Sequence, residues 1–392
     1  MKKIIFVSQK MNLGGTEKSL LSLLHALKEQ PIQVTLLLIE KGGILAGQIP
    51  EHVTVKYFAN YDGIKDILTD PPQNTLLSFL RSGDMLSALK YLVPFLRIKL
   101  TGNWYPNYKV ALADFKNYHG YDIAVAYASP SDFISYLVAK KIAATKKIQW
   151  IHFDYEKSVK DYSFAKRFYR YFSEIYCVSV SGRDNFVKIF PEFRKKVAVF
   201  QNISNPAEII KAAENGESFC DAFDGVKVLT VGRFTREKGY HLIPEVVQKL
   251  KKEKLNFKWY LVGDGKEKKG VMEMAEQLNV ADSLVFLGAK ENPYPFMRDC
   301  DVYVQPSLHE GFGITVEEAK IFNKPIVITN FASANDLIID YETGLITEIS
   351  SEAIFEAVKS LILDNNLRNK FIDKLECRGM EPAIDVSRLW EN

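Results

Sequence analysis

Short apolar runs alternate with helix-period segments along this chain, and the alternation starts twice. In the first half, strand-like runs fall at 3–8, 32–39, 52–58, 121–126, 147–151, 175–179 and 197–200, with helical patterns near 16–29, 131–143, 160–171 and 183–190. The second half begins again with strands near 226–231, 257–262, 283–287, 301–304 and 325–329, separated by helical segments. Strands joined through helices run parallel, because a crossover is needed to return the chain to the same edge, and the helices then cover the sheet. Two such series predict an α/β chain with two doubly wound, Rossmann-like domains, and 392 residues suffice for two separate cores. The rhythm breaks near 202–224, at Asn202-Ile203-Ser204-Asn205-Pro206 and the polar Glu214-Asn215-Gly216-Glu217-Ser218. The expected domains are therefore 1–203 and 204–375, with 376–392 as a tail that returns to the first domain.

One segment departs from the rhythm, a long non-strand insertion between 60 and 120. Its middle, Leu76 to Leu100, is apolar with interspersed Arg81, Lys90, Arg97 and Lys99, and Trp104, Tyr105 and Tyr108 follow. Basic residues on an apolar helix beside aromatics suit a membrane interface. Two ordinary helices packed on the sheet would explain the same apolar content, and the two readings are compatible. The charge balance bears on this choice. Residues 1–200 hold 28 Lys and Arg against 17 Asp and Glu, a net +11, which leaves −8 for the remainder of a chain whose net charge is +3. A basic first half suggests an anionic partner, an anionic membrane surface and not nucleic acid, while plain surface solvation would account for the same asymmetry.

The four cysteines, Cys177, Cys220, Cys300 and Cys377, form no C-x-x-C pair. They are expected as buried thiols in a reducing cytoplasm, with neither a disulfide framework nor a zinc site. The start, Lys2-Lys3-Ile4-Ile5-Phe6-Val7-Ser8, imitates a signal peptide, but its apolar run is short and no small-residue cleavage site follows, so it reads as a first strand. No apolar run approaches the length of a membrane span.

The chemistry concentrates in Pro306-Ser307-Leu308-His309-Glu310-Gly311-Phe312-Gly313-Ile314-Thr315-Val316-Glu317-Glu318. An apolar strand enters a Gly-Phe-Gly turn, a helical pattern leaves it, and carboxylates at Glu310 and Glu318 flank it. Glycines open backbone amides to a ligand, and a helix start favours anions or hydroxyls. Carboxylates accept strongly from sugar hydroxyls. Upstream, Val231-Gly232-Arg233-Phe234-Thr235-Arg236-Glu237-Lys238-Gly239 places Arg233 and Lys238 around a short loop after a strand, an anion clamp of one planar fork and one point charge. Near the beginning, Leu13-Gly14-Gly15-Thr16-Glu17 joins the first strand to a Leu-rich helix. It is neither a G-x-G-x-x-G fingerprint nor a P-loop, which disfavours dinucleotide and ATPase readings. His152 stands after the strand ending Trp150-Ile151, where the carboxyl edge of a sheet opens.

The Glu310–Glu318 segment resembles the Glu–seven residues–Glu motif of retaining glycosyltransferases, in particular glycosyltransferase family 4, whose fold is GT-B, two Rossmann-like domains facing a deep cleft. Gly14 and Gly15 resemble that family's Gly-Gly-x-Glu turn, and Arg233 and Lys238 its Gly-Arg…Glu-Lys-Gly motif. His152 is similar to its donor-sugar histidine, and Gly263 and Gly288 lie in loops similar to its nucleoside-side loops. The resemblance covers nearly the whole chain and is strongest from 226 to 345. It implies that Arg233 and Lys238 bind the donor pyrophosphate, that Gly15 approaches the phosphates, that Glu310 touches sugar hydroxyls and that Glu318 holds the ribose. His152, Arg233, Lys238 and Glu310 are then the catalytic candidates. Gly14, Gly15, Gly263, Gly311, Phe312, Gly313, Ile314, Thr315 and Glu318 are the donor-binding candidates.

The implied activity is retaining hexosyl transfer from a nucleotide sugar, expected as a UDP-sugar, to a lipid-linked or polymer glycan acceptor. Capsule, lipopolysaccharide or teichoic acid assembly would be the setting, at the inner face of the plasma membrane. With cations in place for the leaving group and no Asp-x-Asp element that stands out as a metal site, neither a metal nor a cofactor is expected. A front-face substitution, in which the departing phosphate helps deprotonate the acceptor, fits retention. The alternative is a non-catalytic sugar-nucleotide-binding subunit of a transferase complex, whose mark would be loss of the paired glutamates or the clamp. Both are intact.

Overall fold

The computed structural model describes residues 1–127, 131–159, 161–378 and 385–391. The chain divides into two compact units. The first comprises Met1–Val178, Arg183–Phe200 and the C-terminal stretch from Asp385; the second comprises Ser179–Gly182 and the residues from Gln201 up to that stretch.

In the first unit the strands are β1 Lys2–Ser8, β2 Ile32–Leu38, β3 Thr54–Tyr57, β4 Ile123–Ala126, β5 Lys146–Ile151, β6 Glu174–Cys177 and β7 Val197–Val199. They form one parallel sheet in the order β3-β2-β1-β4-β5-β6-β7, with Ile4 of β1 in register with Val34 on one side and Ile123 on the other. The central strands are apolar without alternation because both faces are covered. Ile4, Ile5, Phe6 and Val7 of β1 are all fully buried. The stretch from Asp385 lies against this unit: Lys146 Nζ and Tyr176 Oη each donate to the carbonyl of Arg388, at 3.4 and 3.2 Å.

The 60–120 segment is helical, with helices Tyr61–Thr69, Pro72–Arg81, Met85–Thr101 and Tyr105–Ala111. Ordinary packing explains only one side of the longest of them. Ala88, Tyr91 and Ile98 are buried, and Tyr91 donates to Asn107 Oδ1 at 2.7 Å, while most of the helix's other apolar side chains are exposed. Among the described residues no helix is long and apolar enough to cross a membrane.

In the second unit the strands are β8 Val226–Val231, β9 Phe257–Val262, β10 Leu284–Gly288, β11 Val302–Gln305, β12 Ile326–Thr329 and β13 Leu345–Thr347. Their order is β10-β9-β8-β11-β12-β13, again all parallel. Trp259 fills the centre and donates through Nε1 to Thr230 Oγ1 at 3.0 Å, which donates to the Val304 carbonyl at 2.8 Å. A buried indole thus finds its partner while pinning β9, β8 and β11 together.

Three expectations need correction. The stretch read as a polar break contains the helix Pro206–Glu214, started by Asn205 accepting from the Glu208 amide at 3.3 Å. The short strand β13 has no counterpart in the sequence reading. All four cysteines are free, but only Cys177 and Cys300 are buried, and burial raises both thiols to about 12; Cys220 and Cys377 are exposed. The expected helix start at Lys160 and the 379–384 part of the tail lie outside the described residues.

Candidate functional site

In an open parallel sheet, neighbouring strands whose connections leave in opposite directions open a crevice at their carboxyl ends. In the second unit that switch lies between β8 and β11, which pair directly through Leu229 and Tyr303. The basic loop follows β8 and the acidic loop follows β11. Two distant segments of sequence are thereby brought to one edge by strand order alone.

Backbone contact between the loops sets their spacing. The amides of Leu308 and His309 donate to the Glu237 carbonyl at 2.7 and 3.3 Å. Gly239 has φ +71°, and a Cβ there would lie 1.8 Å from the Pro306 carbonyl oxygen. Only glycine permits both this conformation and this approach. The consequence is that Lys238 Nζ sits 2.6 Å from Glu310 Oε1, with side chains 18% and 8% exposed.

Glu310 Oε1 also accepts from Ser307 Oγ at 2.7 Å and Gln305 Nε2 at 3.3 Å. Gln305 is fully buried, and its carbonyl oxygen accepts from Tyr303 Oη at 2.8 Å and Thr315 Oγ1 at 3.1 Å. Burial keeps the Tyr303 phenol protonated far above its ordinary range, so it remains a donor. A nearly buried charge pair is stable only when its other valences are met, and this network meets those of Oε1. Glu310 Oε2 has no hydrogen-bond partner among the described residues.

Arg233 is exposed just beyond β8 and forms no ion pair among the described residues. The two cations therefore differ: Lys238 is held and Arg233 is not. Gly263, after β9, has φ +147°, and a Cβ there would come 1.8 Å from the Gly232 carbonyl oxygen, so the β9 loop packs directly on the basic loop. Tyr240 Oη bridges the carbonyls of Gly232 and Val262 at 3.0 and 3.2 Å from beneath.

Beyond Glu310, Gly311 and the buried Phe312 lead to Gly313, the N-cap of the helix Ile314–Ile321. The amides of Val316 and Glu317 return to the Gly313 carbonyl, which leaves the Ile314 and Thr315 amides at the helix start. Glu318 does not belong to the Lys238 network. It is 2% exposed, and its Oε1 accepts from Tyr294 Oη at 2.8 Å. The carboxylate thus lies on the buried side of its helix and not on a solvated face. Among the described residues, no group of three or more His, Cys, Asp or Glu could hold a metal ion.

In the first unit, Gly14 caps the helix Gly15–Ala26, which follows β1, while His152 follows β5. Tyr127, after β4, links them. Its hydroxyl is 2.8 Å from Ser19 Oγ on that helix, and its ring lies edge-on to His152 with centroids 4.5 Å apart. Both nitrogens of His152 are buried without a well-formed hydrogen bond. Burial drives the imidazole down to about 3, the Tyr127 carbonyl pulling weakly the other way, so the ring is neutral near pH 7.

This neutrality predicts an acid liability. The folded histidine resists a proton that the unfolded chain takes up below its ordinary value of 6.5, so stability falls as pH drops from 6.5 toward 3. Near pH 5.5 the loss from this group should be ~1 kcal/mol relative to neutral pH. Denaturant unfolding of wild type and His152→Gln at both pH values should show the smaller acid loss in the variant, and equal losses would contradict the assignment.

The sequence reading did not single out Gln305, Ser307, Tyr294 or Tyr127. Gln305 carried a signal, a polar residue closing the apolar strand Val302-Tyr303-Val304. Tyr294 carried none, because its partner lies 24 residues away.

Residues 223–376 match the model of the family described as Glycosyl transferases group 1. The chain is 28% identical over 193 residues to the lipopolysaccharide core biosynthesis glycosyltransferase LpsE of Rhizobium meliloti, covering 49% of this chain and 54% of that protein. It is 27% identical over 203 residues to the Campylobacter jejuni N-acetylgalactosamine-N,N'-diacetylbacillosaminyl-diphospho-undecaprenol 4-alpha-N-acetylgalactosaminyltransferase, covering 51% and 54%. The chain thus spans about half the length of the curated relatives it matches. The crystal structure of Anabaena Alr3699/HepE in complex with UDP and glucose superimposes with a TM-score of 0.68 at 17% identity, covering 99% of this chain and 97% of that one. The two parallel-sheet units therefore have the GT-B fold.

Proposed function

We propose that the protein is a retaining glycosyltransferase that moves a hexose from a UDP-sugar to a lipid-linked or polymeric cell-surface glycan. The observation that carries this reading is the Lys238–Glu310 pair, with Arg233 on the same loop after β8, at the switch between β8 and β11. The match of 223–376 to group 1 transferases and the UDP held by the HepE structure support the same reading.

Departure of a nucleoside diphosphate builds charge on the leaving oxygens, and preorganised cations stabilise that charge most where water is scarce. An ammonium has three N–H donors. Lys238 can stay bound to Glu310 with one and offer the others to phosphate, while Arg233 supplies a planar fork. The amides of Ile314 and Thr315, at the start of the helix after the Glu310 loop, are assigned to the same charge. These groups can do the work of a metal, so transfer is proposed to be metal-independent. Glu310 Oε2 is left to accept from sugar hydroxyls, and Glu318, fixed by Tyr294, is assigned to the ribose. Gly14, Gly15 and His152 are assigned to the donor by resemblance, with the neutral imidazole as a hydrogen-bonding group. No carboxylate is needed as a nucleophile if the departing phosphate assists the acceptor on the same face. The +11 charge of residues 1–200 supports peripheral association with an anionic membrane at the cytoplasmic face, where lipid-linked acceptors reside.

The test is transfer from a panel of UDP-hexoses to a bacterial lipid extract in EDTA, with the product's anomeric configuration read by NMR. An α-linked product from an α-donor is expected; inversion would overturn the retaining assignment. The two glutamates should separate in calorimetry. Glu318→Gln should weaken free UDP by roughly tenfold, a lost charge-assisted bond, whereas Glu310→Gln should leave free UDP nearly unchanged and impair transfer. Equal loss of UDP binding in both variants would contradict these roles.

A further inference from the structure

The helix Met85–Thr101 has two faces, and only one of them belongs to the fold. Ala88, Tyr91 and Ile98 are buried, with Tyr91 packed edge-on against Phe79 at 5.7 Å. The opposite side is apolar as well, yet open: Met85 is 66% exposed, Leu89 69%, Val93 71% and Leu100 85%, with Leu86, Leu92 and Leu96 also exposed. At the α-helical rotation these seven side chains fill an unbroken arc of about 120° with no polar residue inside it. Arg97 and Lys90 border the arc on one side and Lys99 on the other. The helix contains no acidic residue, and Trp104 and Tyr105 follow its C-cap Gly102. Leu77 and Leu80, exposed on the preceding helix, add to the apolar surface, and Arg81 ends that helix.

We infer that this helix is a lipid anchor that lies in the plane of an anionic bilayer, with its apolar arc among the acyl chains and Lys90, Arg97 and Lys99 at the phosphates. An apolar arc with basic edges and following aromatics is the pattern of an interfacial helix. The same edges argue against a second copy of this chain as the occupant. A two-fold interface would bring identical cationic rims together with no acid on the helix to neutralise them. Anionic lipid supplies the missing charge. The inference rests on the membrane part of the proposed function and adds insertion to it, so binding is not purely electrostatic and survives salt in part.

The test is flotation of the full chain with vesicles of phosphatidylglycerol and phosphatidylethanolamine, and with phosphatidylcholine, at low and high salt. Wild type should float with the anionic vesicles at low salt and retain a measurable fraction at high salt. Leu89→Glu/Leu96→Glu, and the milder Val93→Gln/Leu100→Gln, should lower the partition coefficient at least tenfold in both salts, with unchanged circular dichroism. Lys90→Gln/Arg97→Gln/Lys99→Gln should weaken binding mainly at low salt. Wild-type flotation by both apolar-arc variants would overturn the inference. So would a wild-type dimer that the arc variants convert to monomer without loss of flotation. The assay uses neither donor nor acceptor, so failure of the transfer reading would appear separately, as absence of UDP-sugar turnover with flotation intact.

Discussion

Alanine at Lys238 is expected to lower sugar transfer by about 30- to 1,000-fold, the loss of ~2–4 kcal/mol of transition-state stabilisation. Alanine at Arg233 should fall in the same range, because both cations face the charge that builds on the leaving diphosphate. The two variants should differ in stability. Arg233 is exposed and makes no close ion pair among the described residues, its charge acting only at longer range on Glu237, so its removal should leave the melting temperature nearly unchanged. Removing Lys238 strands Glu310, whose side chain is only 8% exposed, and an orphaned buried carboxylate destabilises the fold. Lys238→Ala/Glu310→Ala should therefore be more stable than Lys238→Ala alone, a coupling that a double-mutant cycle reads directly. Near-wild-type turnover in both single variants, with folding intact, would remove the clamp from the mechanism.

A methyl group at Gly239 should be as damaging, by a different route. Gly239→Ala must adopt a left-handed backbone at φ +71° and place its Cβ 1.8 Å from the Pro306 carbonyl oxygen. The conformational term costs ~1–2 kcal/mol, and relieving the overlap adds about 1–3 kcal/mol. The expected relief is separation of the β8 and β11 loops, which would draw Lys238 away from Glu310 and lower transfer as well. Gly288→Ala isolates the first term, since Gly288 has φ +74° with nothing within 4 Å of its Cβ position. Denaturant unfolding should show the Gly239 variant losing clearly more stability than the Gly288 variant. Equal losses would mean that the loops yield without cost.

Strands were legible wherever a parallel sheet demanded continuous apolar runs, as in Ile4-Ile5-Phe6-Val7 and Val302-Tyr303-Val304. The strand Leu345–Thr347 escaped because three residues among turns carry no period. The helix Pro206–Glu214 looks like a break in the sequence because Glu214 and the polar residues after it dominate the composition there. Asn205-Pro206 is nevertheless a helix-start signal that could have corrected it. In the site, Arg233, Lys238, Glu310 and Glu318 were visible from local spacing. The Lys238–Glu310 bond was not, since it joins residues 72 apart and depends on β8 lying beside β11. The insertion's apolar and basic content was likewise readable, but which side of the helix faces outward is a property of packing.

The most direct test of the central claim is a thermal-shift titration of the full chain in EDTA with nucleoside mono- and diphosphates and UDP-sugars. A ligand that binds only the folded state raises its apparent stability. UDP and a UDP-sugar are predicted to raise the melting temperature well above the effect of UMP, and Arg233→Ala and Lys238→Ala should abolish the difference. No shift with any nucleoside diphosphate, or an equal shift with UMP, would contradict a site built to hold a leaving diphosphate.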